Sequence, residues 1–287
     1  MKIYRSLNQT FVQSLKHVQE YGSVVRSRGS ANREALFYSV CVEDPTALSI
    51  DIPARKFNPD YATAEWLWYL SKNRKVNNIG KLANIWLDIQ DKNGECESNY
   101  GSYLLGEQWE WVTNELLSDL DTRRASLTIN QPHHKGKNVH DYPCTQYIHF
   151  FIRENRLHLG ICMRSNDAIF GFCNDIYTFC LFQQLMLNDL NKKIKERNLN
   201  IEPIELGYYY HSADSFHVYE KHWPMMDKIL KNYYVRAEEN GYPQLKSIKL
   251  KSNITSDMIN NISLPEKDMT KQEIKTFVEK TKGLIYV

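Results

Sequence analysis

The chain has 287 residues, enough for one large domain or two small ones, and 42% are hydrophobic, so it can bury a full core. With 36 Lys and Arg against 34 Asp and Glu, the net charge of +2 excludes a strongly basic nucleic-acid surface as the main feature. Mean hydropathy is -0.54, no apolar run nears the ~20 residues that cross a bilayer, and residues 1–22 lack the apolar stretch of a secretory signal.

Six cysteines, at positions 41, 96, 144, 162, 173 and 180, form no Cys-x-x-Cys pair and no zinc spacing. The expectation is a cytoplasmic protein with reduced thiols, no metal, no membrane and no direct nucleic-acid partner. The glycosylation triplets at Asn8, Asn253 and Asn261 are then chance matches.

In chain order, Phe11 to Glu20 is a helix with Phe11, Val12, Leu15 and Val18 on one face. Residues 23–34 form a basic loop, and short strands follow over 35–42 and 47–52. Asp60 is an N-cap for a helix to Leu70, apolar almost all round except at Glu65. An amphipathic helix covers 107–120. Strands follow over 124–130, 145–152 and 156–163, the last two joined by a hairpin turn at Arg153-Glu154-Asn155-Arg156. A long helix runs from Asp175 to Arg197, a strand from Ile204 to Tyr210, and a helix from Phe216 to Ala237 with Pro224 as its kink. The Lys-rich tail holds a last helix, with Thr270 and Glu273 at capping-box spacing and Gly283 past its end. No repeat or linker divides the chain, so an α/β domain over 1–245 with an appendage over 246–287 is expected, the appendage being part of that domain or a lid.

Cys144 lies just before a strand, as many bland Pro-Cys pairs do. Residues 163–175 are denser in chemistry, placing Arg164, Ser165, Asn166, Asp167, Asn174 and Asp175 between a strand and an apolar helix. Arg and Ser together suit a phosphate, whereas an acid at a helix start also serves the helix dipole. Arg123-Arg124 precede a strand. His217, Tyr219 and His222 lack His-Glu-x-x-His spacing, and no Gly-rich phosphate loop is present.

In order, Arg28-Gly29, AEWLWYL at 64–70, SNYG at 98–101, Arg123-Arg124, PCT at 143–145, MRSND at 163–167, GFCND at 171–175 and HVY at 217–219 resemble the thymidylate synthase superfamily. That resemblance implies a large mixed sheet flanked by helices and a homodimer packed sheet to sheet, its ligands a pyrimidine nucleoside monophosphate and 5,10-methylenetetrahydrofolate. It implies Cys144 as nucleophile and Glu65, Tyr100 and Asp167 in the catalytic network. Arg28, Arg123, Arg124, Arg164 and Ser165 fall to the phosphate, with Arg123 and Arg124 donated by the partner. His217 and Tyr219 fall to the sugar, and Ile85, Trp86, Asp167, Phe170 and Gly171 to the folate. Met163 and Ile89 depart from the Gln and Trp common in synthases.

Two positions are similar to the cytidylate hydroxymethylases of phages and of nucleoside-antibiotic pathways. Pro-Cys is followed by Thr145, not His, and the base-reading Asn of synthases is replaced by Asp175. Uracil offers a donor at N3 and an acceptor at O4, which a carboxamide answers. Cytosine offers an acceptor at N3 and a donor at N4, which a carboxyl answers. The expected reaction is therefore hydroxymethylation of dCMP. Alternatives are CMP hydroxymethylation, C5 methylation of dCMP, thymidylate synthesis from dUMP, or a catalytically dead nucleotide-binding protein. A phage modifying its DNA and a biosynthetic cluster are both compatible sources.

Overall fold

The computed structural model describes residues 1–27, 29–135, 141–240 and 246–287. Its centre is an eight-stranded mixed sheet. The strands are β1 (Lys2–Tyr4), β2 (Ser23–Ser27), β3 (Ser30–Val42), β4 (Ser126–Thr128), β5 (Thr145–Arg153), β6 (Arg156–Met163), β7 (Asn166–Asp167) and β8 (Glu205–Tyr219). The path runs β1-β3-β8-β6-β5-β4, with β2 on β3 and β7 on β8. β5 and β6 form an antiparallel hairpin. Its turn residues Glu154 and Asn155 take φ of 52° and 57°, the positive values a tight two-residue hairpin requires.

The helices are α1 (Leu7–Tyr21), α2 (Pro59–Ser71), α3 (Ile85–Ile89), α4 (Gly101–Leu104), α5 (Glu107–Ser118), α6 (Gly171–Glu196), α7 (Trp223–Asn240), α8 (Ile259–Ile262) and α9 (Lys271–Ile285). None described is long and apolar enough to cross a membrane. α2 is buried from Ala62 to Leu70 because α4, α6, α8 and α9 all lie against it, which explains its lack of a polar face. The long α6 contacts β6, β7 and β8 as well as α1, α2 and α5.

Several elements differ from expectation. Residues 23–27 and 30–34 are strands, not a basic loop: β2 and the start of β3 pair antiparallel, because Val24 and Val25 favour a pleated edge. Residues 47–52 are not a strand. They serve the start of α1, with the Leu7 N–H donating to the Ala47 carbonyl at 2.9 Å and the Asp51 N–H to Asn8 Oδ1 at 3.1 Å. Asp60 is not the N-cap of α2. Asn58 is, its Oδ1 accepting from the N–H groups of Asp60 and Tyr61, while Asp60 pairs with Lys282 on α9 at 2.6 Å. β8 continues to Tyr219, so His217 and Tyr219 lie on a strand. Pro224 falls in the first turn of α7, where its missing N–H breaks no bond. α6 begins at Gly171, so Asp175 is inside the helix and is not its cap.

The capping box of α9 forms, with Thr270 and Glu273 exchanging hydrogen bonds, and Gly283 lies inside that helix. Beyond it, the hydroxyls of Tyr286, Thr63 on α2 and Tyr177 on α6 form a ring, with separations of 3.0 to 3.2 Å.

The sheet face away from α6 carries aromatic and imidazole rings. His149 and Phe151 are 4.2 Å apart, His158 meets Tyr208 edge-on at 5.6 Å, and Tyr147 is exposed.

Candidate active site

Cys144 stands at the end of an irregular approach to β5. The Arg164 guanidinium donates to its sulfur at 3.7 Å and to the carbonyls of Pro143 at 3.2 Å and Tyr142 at 2.6 Å. It also lies over the Tyr142 ring. Backbone joins the two strands here as well, the Arg164 N–H donating to the Cys144 carbonyl. Asp141 anchors the approach from below. Buried, it accepts from the N–H and hydroxyl of Ser98 at 2.6 and 2.8 Å.

That contact fixes the turn carrying Tyr100, whose ring stacks on Tyr69 and Phe179. Burial, then the negative charges available at Cys144 and Asp175, push the Tyr100 phenol well above its ordinary pKa. Gly101 permits the close approach: a Cβ there would sit 1.7 Å from the Tyr69 carbonyl oxygen.

Glu65 projects from α2 into the same interior. Its Oε1 accepts from the Tyr61 hydroxyl at 3.3 Å, and its Oε2 meets no hydrogen-bond geometry among the described residues, with the Tyr69 hydroxyl also close to the carboxyl. Trp86 donates from Nε1 to the Tyr61 oxygen at 2.9 Å. Burial, and then the neighbouring Asp175 carboxylate, raise the Glu65 pKa to about 8. A carboxyl in that range can both give and take a proton near neutral pH.

Asp175 projects from the second turn of α6. Its Oδ2 accepts from Asn166 Nδ2 at 2.7 Å, and burial raises its pKa to about 7 against the lowering effect of that hydrogen bond. Gly171 faces the same pair, and a Cβ there would meet Asn166 Nδ2 at 3.1 Å and Asp175 Oδ2 at 3.4 Å. Asp167 turns the chain into α6, its Oδ1 accepting from the N–H groups of Ile169 and Phe170.

Cys144, Tyr100, Glu65 and Asp175 therefore bear on one another, and the remaining expected residues are arranged around them. Ser165 is half-buried next to Arg164. His217 pairs in register with Glu34 across the sheet, its Nδ1 is 3.3 Å from the Ser215 hydroxyl, and Tyr219 meets it edge-on. Phe170 lies against His222, with the buried Arg55 guanidinium 4.8 Å from its ring. Ile85 is exposed at the start of α3. Met163 is buried on β6, and Ile89 closes α3.

The two adjacent arginines do not join the group within the chain. Arg124 grips Glu115 with a two-pronged contact at 2.9 and 3.1 Å, and Arg123 is exposed. Arg28 lies outside the described residues.

One cluster nearby offers metal-ligand atoms: Glu97, His133 and His134, all within 4.8 Å. His134 Nδ1 accepts the Gln131 N–H at 3.0 Å, so its Nε2 carries the hydrogen and faces Glu97. Arg74 and the Tyr103 hydroxyl already contact the Glu97 carboxylate. This is a hydrogen-bonded ion-pair network.

Motif reading singles out neither Asp141 nor His211, and it includes Asn166 without a role. His211 is fully buried on β8. Its signal is positional: along the alternating run from Gly207 to Ala213, Tyr209 and His211 fall on the inward face.

The thymidylate synthase family model matches residues 9–276. Among curated relatives, the deoxycytidylate 5-hydroxymethyltransferase of Enterobacteria phage T4 is 29% identical over 194 residues, 64% of this chain and 77% of that protein. The deoxyuridylate hydroxymethyltransferase of Bacillus phage SP01 is 25% identical over 260 residues, 84% of this chain and 65% of that protein. Among solved structures, thermostable thymidylate synthase A from Bacillus subtilis superposes with a TM-score of 0.63 at 18% identity, covering 85% of this chain and 87% of that one.

Proposed function

The chain belongs to the thymidylate synthase family, and on that premise we propose that it hydroxymethylates dCMP at C5. The observation that carries this reading is Asp175: a carboxyl, not a carboxamide, enclosed beside Asn166 and titrating near neutrality. The relatives divide between deoxycytidylate and deoxyuridylate enzymes, so the chemistry of this side chain decides the base. A carboxyl answers cytosine's N3 acceptor and N4 donor. A mismatched polar pair at a buried base edge costs on the order of 10⁴–10⁵ in discrimination.

Cys144, with Arg164 donating to its sulfur, attacks C6 of the pyrimidine, and C5 becomes nucleophilic. The folate co-substrate, 5,10-methylenetetrahydrofolate, supplies the one-carbon unit when bound. The buried Trp86 and the exposed apolar surfaces of Ile85 and Phe170 are of the kind a flat heterocycle covers, with Asp167 and Gly171 beside them. Glu65, Tyr61 and Tyr100 handle protons at the reacting pyrimidine and ready water as the final nucleophile. Loss of the sulfur from C6 restores aromaticity and frees the enzyme. Arg164 and Ser165 hold the 5′-phosphate, and His217 and Tyr219 the sugar.

The ring-bearing outer face of the sheet packs against a second copy, and the exposed Arg123 and Arg124, with Arg28, complete phosphate sites. Residues 246–287 form part of the same catalytic domain as 1–245, with α9 laid along α2.

The test is the ratio of kcat/KM for dCMP and dUMP, with product mass measured in the presence of methylenetetrahydrofolate. Wild type should form 5-hydroxymethyl-dCMP and prefer dCMP by orders of magnitude. Asp175→Asn should cut activity on dCMP and raise it on dUMP. An unchanged ratio removes the basis for assigning cytosine.

A further inference from the structure

A carboxyl that can carry its proton on either oxygen is a poor discriminator. With the proton on one oxygen it matches cytosine, and with the proton on the other it matches uracil. We propose that Asn166, held in place by His211, fixes which oxygen of Asp175 bears the proton and so makes that side chain read cytosine and reject uracil. The inference rests on the cytidylate reading above and extends it to two residues that need not touch the base.

Donors and acceptors are linked along one line of side chains. Tyr209 and His211 face inward on β8, with the Tyr209 hydroxyl 3.0 Å from His211 Nδ1. His211 Nε2 is 3.0 Å from Asn166 Oδ1, and Asn166 Nδ2 is 2.7 Å from Asp175 Oδ2. Complete burial lowers the His211 pKa to about 3, so the ring is neutral and has a single N–H. With the Tyr209 hydroxyl donating to Nδ1, that hydrogen is on Nε2 and points at the Asn166 carbonyl oxygen, which can only accept. The amide then cannot turn over. Its NH₂ faces Asp175, and Oδ2 is held as an acceptor. A proton on Asp175 belongs on Oδ1.

The surroundings leave little slack. Phe172 meets the His211 ring edge-on at 4.9 Å, and a Cβ at Gly171 would press on the Asn166–Asp175 contact at 3.1 and 3.4 Å. The titratable groups bearing on Asp175 are Asp167 on β7, Glu65, Tyr61 and Tyr69 on α2, Tyr100 at α4, Tyr209 on β8 and Cys173 on its own helix. The carboxyls among them are Asp167 and Glu65, and neither donates to Oδ2 in place of Asn166.

Both residues are positioning residues, and the measurement separates that role from mere support of the fold. Nucleotide dissociation constants for dCMP and dUMP are measured by calorimetry for wild type, Asn166→Leu, His211→Leu and His211→Gln. The Asp175 carboxyl is titrated in each by carbon-13 NMR. In both Leu variants the dCMP preference should fall at least tenfold and the Asp175 pKa should rise. Gln can still donate to Asn166, so His211→Gln should keep the wild-type ratio. Equal loss of affinity for both nucleotides, with an unmoved Asp175 titration, overturns the proposal. Should a Leu variant fail to fold, Tyr209→Phe releases the ring's tautomer with little volume change, and an unchanged ratio and titration there overturn it equally. A wild type with no preference for dCMP refutes the cytidylate reading instead, and the carboxyl titrations then decide alone whether Asn166 governs the Asp175 proton.

Discussion

Glu65→Gln isolates the cost of a charge stored in the interior. The substitution keeps shape, and its amide oxygen can still accept from the Tyr61 hydroxyl. What it removes is a carboxyl displaced from an ordinary 4.5 to about 8 by burial and by Asp175. The folded-state value is the higher one, so between those two pH values the folded protein binds a proton that the unfolded chain has released. Stability from this group is therefore full at acid pH and drains away as pH rises. At 1.36 kcal/mol per pH unit, the wild-type penalty is about 1 kcal/mol at pH 5, about 3 kcal/mol at pH 7, and levels off at 4–5 kcal/mol above pH 9. The glutamine protein escapes it. Its Tm relative to wild type should climb by about 4 °C between pH 5 and pH 7, taking roughly 2 °C per kcal/mol for a chain of this size. Turnover should fall steeply in the same variant, because the proton-handling group is gone. Differential scanning calorimetry across pH 5–9 is the assay. A Tm difference that stays constant over that range would refute the buried-charge argument, whatever happens to activity.

Cys144→Ser should reduce turnover to background while nucleotide affinity changes by only a few-fold, since the hydroxyl keeps the shape but is a far weaker nucleophile; substantial residual turnover would exclude Cys144 as the attacking atom. Mixing Arg124→Ala with Cys144→Ser chains should recover activity through one intact composite site, and verified heterodimers that stay inactive would argue against arginines shared between subunits. Gly101→Ala forces a Cβ to within 1.7 Å of the Tyr69 carbonyl oxygen, so backbone must move; a Tm loss of about 6 °C or more is expected, from a penalty of ~3 kcal/mol, and an unshifted Tm would show that α4 has slack.

Helices with a sustained 3.6-residue pattern, such as α1, α5 and α6, are legible in the sequence to within a few residues, as is the β5–β6 hairpin with its Glu154-Asn155 turn. β2 is hidden because arginine and serine surround its two valines, and an edge strand shows only in its partner. The end of β8 is hidden because Phe216–Tyr219 suits a helix or a strand, and only β3 alongside settles it. Asp60 looks like a cap until Asn58 and Pro59 are weighed together. In the site, Cys144, Glu65 and Asp175 stand out through the motifs around them. The hold on Asp175 does not, because His211 lies 45 residues from Asn166 and the two meet only through the pairing of β7 with β8.

The hydroxyl ring at the end of α9 has a mechanical meaning. Thr63 stands two residues before Glu65 on its helix, and Tyr177 two residues after Asp175 on the other. The Tyr286 hydroxyl lies 3.2 Å from both. The Tyr286 side chain thus works as a feeler gauge, setting the spacing of the two rods that carry the acidic groups. Val287 beyond it is exposed, so a peptide appended there would trail into solvent and leave the gauge seated. Trimming back by two residues would withdraw it, leaving the Thr63 and Tyr177 hydroxyls to each other and the two rods free to settle at a new separation.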